Sequence, residues 1–146
     1  MKILNQFKMQ LAARSSNESF ARTVVAAFVS QLDPTLEEIS DIKTAVSEAV
    51  TNCIVHAYKE KLGTIYITVR ILENNKISIK IRDRGCGIPD IKQAMQPAFT
   101  TAGRERAGIG FAVMQSFTDK LTVSSRVGYG TTVVMHKILS SKSLDD

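Results

Sequence analysis

Glu48 and Asn52, four residues apart, and Asp83, at the head of Asp83-Arg84-Gly85-Cys86-Gly87, stand at spacings that can do chemistry. Glu48, Asn52 and His56 recur every four residues, so on a helix they form one slowly drifting polar stripe beside an apolar face. Such a stripe lines a cleft if something faces it, and is otherwise a solvated helix surface. Asp83 directly follows a strand-like run, where its carboxylate can be held to accept a hydrogen bond from an amino group. Gly85 and Gly87 then let the backbone turn closely against a ligand. A second glycine pair, Gly108 and Gly110, opens an apolar-periodic run, and the free N–H groups and dipole of a helix start favour phosphate. Arg104 and Arg106 lie in the stretch just before it, within reach of an anion held there. Gly130-Thr131 begins the last strand-like run and can bring a hydroxyl to the same cleft.

The elements that must position these residues follow from periodicity. Phe7, Met9 and Leu11 alternate with Lys8 and Gln10, predicting a short first strand at an edge or interface. Ser15-Ser16-Asn17 is a cap-rich entry to a helix from about Asn17 to Gln31, which Asp33-Pro34 closes. Thr35-Leu36-Glu37-Glu38 has the form of a capping box and opens a longer helix to about Tyr58, with Ile39, Ile42, Val46, Ala49, Val50 and Cys53 on its apolar face. Thr64 to Leu72 and Lys76 to Arg82 are strands joined at Asn74-Asn75 as a hairpin. A short helix follows the glycine turn, and Gln96 to Ala107 holds no periodicity, a loop of functional length in so small a domain. A helix from Gly108 to about Thr118 and strands Lys120 to Arg126 and Thr131 to Ile138 complete the order β-α-α-β-β-α-α-β-β. This predicts a two-layer α+β sandwich, a mixed and mostly antiparallel sheet with helices on one face.

The chain of 146 residues, 44% of them hydrophobic, suits one domain, with residues from about 140 to 146 as a flexible tail. Its apolar stretches fall far short of the roughly 20 residues of a membrane span. The first residues offer no apolar core for a secretory signal, so a soluble, cytoplasmic protein is expected. Cys53 and Cys86 form neither a CxxC nor a Cys/His cluster and read as free thiols. The net charge of +5 suits nucleic acid, a nucleotide or an acidic protein partner, and composition does not choose among them. No GxxxxGK[ST] run occurs, which excludes a P-loop enzyme.

In their order, these boxes resemble the Bergerat-fold ATPases, the superfamily of gyrase and the histidine-kinase catalytic domains. Glu48-x-x-x-Asn52 is similar to its N box, Asp83-x-Gly85-x-Gly87 to its first glycine box and Gly108-x-Gly110 to its second. Asn17 to Arg22, Gln31 to Thr35, Ser47 to Asn52 and Phe99-Thr100-Thr101 further resemble the sporulation anti-sigma-F factor family over nearly the whole chain. That resemblance implies a dimeric, ATP- and Mg²⁺-dependent serine kinase. It would sequester a sporulation sigma factor and phosphorylate an anti-anti-sigma protein, with no direct contact to nucleic acid or membrane.

By position, the resemblance makes Glu48 the general base, Asn52 the Mg²⁺ ligand and Asp83 the partner of the adenine amino group, supported by Thr131. Gly85, Gly87, Thr101, Arg104, Arg106, Gly108 and Gly110 would complete the nucleotide site, and Arg22 would meet protein partners. Arg84, beside Asp83, adds a charge of unassigned purpose. Two other readings remain open here: a kinase acting on a stress-response sigma factor, and a non-catalytic module whose nucleotide only sets the shape that holds a sigma factor. A detached histidine-kinase domain would need a dimerisation helix pair with an acceptor histidine, which neither His56 nor His136 supplies.

Overall fold

The computed structural model describes residues 1–59, 61–95 and 104–140, with residues 104–109 described by their backbone alone. Five strands, β1 (Ile3–Ala12), β2 (Thr64–Leu72), β3 (Lys76–Arg82), β4 (Lys120–Arg126) and β5 (Gly130–Ile138), form one sheet in the order β1-β2-β3-β5-β4. All four pairings are antiparallel, so the sheet has no parallel component. The β2–β3 hairpin turns through Glu73, Asn74 and Asn75 between the paired Leu72 and Lys76, and asparagine tolerates the positive φ angles of 63° and 57° at its last two positions. β1 is an edge strand, as its alternation predicts, and extends Phe7–Leu11 back to Ile3 and on only to Ala12.

Alternation fixes which face is covered. Ile65, Ile67, Val69 and Ile71 of β2 and Ile77, Ile79 and Ile81 of β3 are buried, while the residues between them are not. Against that face lie α1 (Ser16–Val29), burying Ala21, Val25 and Val29, and α2 (Leu36–Asn52), burying Ile42, Ala45, Val46, Ala49 and Val50. α3 (Ile91–Ala94) is a single turn, and α4 (Arg104–Phe117) adds Phe111 and Met114 to the same core. A 3-10 turn, Ser30–Leu32, carries the first helix to its expected end. Asp33 stops it in the left-handed region, φ 53°.

Two helix boundaries also differ from those predicted. α2 keeps α-helical winding only to Asn52, and Cys53–Ala57 is wound as a π turn, with the Tyr58 N–H donating to the Cys53 carbonyl at 3.0 Å. The wider turn leaves the Ala57 carbonyl available to the Cys86 N–H, also at 3.0 Å. α4 spans Arg104–Phe117 rather than starting at Gly108, so the backbone of Arg104 and Arg106 is helix instead of loop. Arg-Glu-Arg-Ala is a run of strong helix formers, and a helix tolerates an internal glycine at a cost of about 1 kcal/mol. Residues 96–103, in the predicted loop, lie outside the described residues, as do 141–146 in the predicted tail.

The capping box of α2 forms in full: Glu38 N–H donates to Thr35 Oγ1 at 3.1 Å and Thr35 N–H to Glu38 Oε1 at 2.9 Å. Glu38 Oε2 also accepts the Ser140 N–H at 2.7 Å, holding the residue expected to start the tail. Partial burial works to raise the Glu38 pKa, but the donors from Thr35 and Ser140 outweigh it and hold the carboxyl below its ordinary 4.5. A carboxyl depressed by folding contributes stability above its unfolded pKa and loses it as pH falls through the folded one. Thr35→Ala should therefore cost about 1 kcal/mol in urea titration at pH 7. Glu38→Gln should flatten the loss of stability on acidification below 4.5 relative to the parent chain.

Candidate functional site

β3 delivers Asp83 to the covered side of the sheet. Its inward positions are Ile77, Ile79 and Ile81, and the next in that series is Asp83, only 5% exposed. A carboxylate at a core position needs donors. Asp83 Oδ1 accepts the Gly85 N–H at 2.9 Å and the Thr131 N–H at 3.1 Å, while the Asp83 N–H donates to the Thr131 carbonyl at 2.9 Å. The buried Cys53 thiol of the π turn lies beside the same carboxylate and works to lower its pKa. Burial still outweighs these donors and raises the Asp83 pKa above its ordinary 3.8. The Cys53 thiol is pushed well up, by burial first and then by the neighbouring carboxylate charge.

Tight backbone contacts make the turn possible. A Cβ on Gly85 would collide with the Ala57 carbonyl, and one on Gly87, at φ 80°, with the Arg126 carbonyl. Gly130, at φ 124°, leaves no room for a Cβ against the Asp83 carbonyl. The Tyr58 hydroxyl donates to the Thr64 carbonyl at 2.6 Å and accepts the Arg84 N–H at 2.7 Å, tying the end of the π turn to both neighbouring strands. Burial leads in raising the Tyr58 pKa, with Asp83 and Cys53 adding to it. The Arg84 side chain, whose charge has no purpose assigned from sequence, lies over the Tyr66 ring at 4.9 Å. The Thr131 hydroxyl meets Ser125 Oγ at 2.8 Å, and that same oxygen accepts the Ile88 N–H at 2.7 Å.

Asn52, Asp83, Gly87 and Thr131 line one hollow, with Cys53 and His56 beside them. Ile81, Ile88, Phe111 and Val133 make the rest of its wall apolar. About 50 Å³ of it is open to water, room for a few waters. Glu48 and Asn52 lie where α4 crosses α2. A Cβ on Gly110 would stand 3.1 Å from Asn52 Oδ1 and 3.2 Å from Glu48 Oε2, so this glycine lets the helices close over the polar stripe. The Asn52 amide nitrogen is buried there without a hydrogen-bond partner.

Of the remaining predicted residues, Arg22 sits on α1 in an ion pair with Glu18 at 3.3 Å and does not line the hollow. The backbone of Arg104, Arg106 and Gly108 belongs to α4, and Thr101 lies outside the described residues. The apolar wall and the Ser125 contact were not foreseen from the sequence. Strand parity carries the signal for the wall, since Ile81 shares a face with Asp83 and Val133 with Thr131.

Among the described residues no three His, Cys, Asp or Glu side chains converge to hold a metal. A cation here would have to take its ligands from Asn52, from phosphate oxygens and from water. That oxygen-only donor set suits Mg²⁺, and the unsatisfied Asn52 amide fits such a role if its oxygen is the atom turned toward the ion.

Fold and hollow together define a nucleotide-binding domain of the histidine-kinase type. The family model described as "Histidine kinase-like ATPase domain" matches residues 11–137. The chain is 59% identical over 140 residues to the anti-sigma F factor of Caldanaerobacter subterraneus subsp. tengcongensis, covering 95% of this chain and 97% of that one. It is 52% identical over 143 residues to the anti-sigma F factor of Geobacillus kaustophilus, covering 96% and 97%. The chain belongs to the histidine kinase-like ATPase family and, within it, to the anti-sigma F factors. Among solved structures, the RsbU and RsbW domains of a Mycobacterium tuberculosis protein share the fold, with a TM-score of 0.70 at 18% identity over 95% of this chain and 34% of that one. The histidine kinase domain of a blue-light-activated kinase from Erythrobacter litoralis does so with a TM-score of 0.56 at 18% identity, over 84% and 60% of the chains.

The two site glycines should respond differently to a methyl group. In Gly110→Ala the new Cβ meets the ends of two side chains that can yield, and the helix gains propensity, so stability should change by less than about 1 kcal/mol. In Gly130→Ala it meets backbone at a positive φ, and urea titration should show a loss of about 2 kcal/mol or more.

Proposed function

We propose that the chain is an anti-sigma factor that holds a sporulation sigma factor and uses ATP with Mg²⁺ to phosphorylate a serine of an anti-anti-sigma protein. The observation that carries the nucleotide part is Asp83: a buried carboxylate whose Oδ1 is committed to two backbone N–H groups, in a hollow whose other walls are largely apolar. Its second oxygen is left to accept an amino group, which adenine has and guanine lacks at the equivalent position. A purine needs more space than the roughly 50 Å³ open in this hollow, so on this reading its apolar wall, to which Phe111 and Ile88 belong, would have to yield on binding. The names of the full-length relatives support the anti-sigma role.

Asn52 would hold the metal, which when bound supplies charge to neutralise the phosphates. Glu48, one helical turn away on the same face, would orient the acceptor hydroxyl and take its proton, because a neutral serine is a poor nucleophile at pH 7. Arg104 and Arg106, on the first turns of α4, would offset charge on the transferred group, with Gly108, Gly110 and Thr101 around the phosphates. Arg22, on α1 and apart from the hollow, would meet the protein partner. The open edge of β1 would contribute to a homodimer.

The test is radiolabelled ATP with the anti-anti-sigma protein. Glu48→Ala should lower transfer by a factor on the order of 100 or more while ATP still binds. Transfer at the parent rate in that variant sinks the mechanism, and ATP binding without transfer by the parent chain leaves a non-catalytic sigma-binding module. Asn52→Ala should abolish the Mg²⁺ dependence of nucleotide binding. Asp83→Asn keeps the acceptor for Gly85 and Thr131 but presents an amide to the base. Because ionised Asp83 is penalised by burial, the variant should be at least as stable as the parent at pH 7 and yet lose ATP affinity. A parallel loss of both would mean that Asp83 is only structural.

A further inference from the structure

The face of the sheet turned away from the helices is cationic to a degree that neither nucleotide binding nor the fold requires. None of the five strands contains an aspartate or glutamate. Their Lys and Arg residues all point to the solvent face except Lys137, which turns inward and pairs with Asp41 of α2 at 3.5 Å. The register places the others in cross-strand rows. One row runs Gln6, Arg70, Ser78, His136, Lys120, and the next Lys8, Thr68, Lys80, Val134, Thr122. A third runs Gln10, Tyr66, Arg82, Thr132, Ser124. Among the described residues, the carboxylates that precede β2 sit on α1, α2 and the turn between them (Glu18, Asp33, Glu37, Glu38, Asp41 and Glu48), while Glu73 lies in the β2–β3 turn and Asp119 just before β4, at the ends of strands. Soluble surfaces ordinarily intersperse the two signs.

The rows are not flat. Thr68, Arg70, Ser78, Lys80, Thr132 and His136 surround a hollow of about 350 Å³. Cations and hydroxyls alternate around it, so nearly every polar side chain can donate. The His136 pKa is lowered by partial burial and then by Lys76 and Lys120, in keeping with a positive field.

We propose that this face docks an acidic segment of a protein partner, its carboxylates lying over the rows around Arg70 and Lys80. Charge complementarity argues for an anion, and two features favour protein over nucleic acid. Tyr66, the aromatic residue of these rows, has Arg84 at 4.9 Å and Arg82 at 5.9 Å over its ring, and Tyr129 has Arg126 at 4.2 Å. Sheets that read single strands present bare rings for bases to stack on, and these are occupied by guanidinium groups. Beside Lys76, Leu72 and Ile138 add an aliphatic corner, Ile138 being 58% exposed, which suits side chains of a peptide.

The test uses fluorescein-labelled poly-L-glutamate and a single-stranded oligonucleotide of equal charge, followed by anisotropy over a salt series. The parent chain should bind polyglutamate more tightly than the oligonucleotide, with affinity falling steeply as salt rises. The double variant R70E/K80E should weaken polyglutamate roughly tenfold or more, with ATP affinity unchanged, and Thr68→Lys should strengthen it. Equal or tighter binding of the oligonucleotide overturns the proposal in favour of nucleic acid. Polyglutamate binding that ignores both variants overturns it outright, as does a Thr68→Cys label protected by self-association, which would make the face an interface between copies.

Discussion

The molecule is organised around one buried negative charge. Asp83 sits at a position that strand parity assigns to the core, and a lone carboxylate there is costly unless donors surround it. Two donors come from backbone, in the glycine turn after β3 and at the start of β5, and the Cys53 thiol of the π turn lies beside the carboxylate. Satisfying one side chain thus fixes the relative placement of two central strands and the end of α2. Close approach here needs glycine, and Gly85, Gly87 and Gly130, which resemble or flank the ligand-binding boxes, are at the same time places where backbone touches backbone.

The π turn belongs to this arrangement. Continued α winding would have carried the helix past Asn52 with its carbonyls bonded within itself. The wider turn frees the Ala57 carbonyl for Cys86 and sets the Cys53 thiol beside Asp83. Such turns recur at functional sites because they re-aim side chains without ending the helix. On the other side of the hollow, Gly110 lets α4 lie close to Glu48 and Asn52, so the polar stripe is covered by a helix backbone instead of a side chain.

Much of this was legible in the sequence. Alternation in β2, β3 and β4 gave their limits, and Thr35 with Glu38 marked the start of α2, because these signals are local and consistent with the global packing. What escaped reading was set by tertiary contact. The π winding depends on Cys86, more than 20 residues downstream, and the early start of α4 reflects helix propensity prevailing over Gly108 and Gly110. Asp83 was singled out for its glycines, while the stronger clue, an acid continuing the series Ile77, Ile79, Ile81, went unused. The charge of Arg84, unassigned in sequence, is answered by Tyr66 on β2, a pairing only the register reveals.

The strand order has a consequence for the chain as it is made. β5 lies between β3 and β4 although it is synthesised after both. Until its last strand leaves the ribosome, β3 has an open edge, β4 has nothing to pair with, and Asp83 lacks the Thr131 donor. The nascent protein therefore carries Asn52, Asp83 and the glycines around them but not the finished hollow. A ligand that recognises the finished hollow stabilises completed molecules alone, and incomplete ones are left exposed to proteolysis.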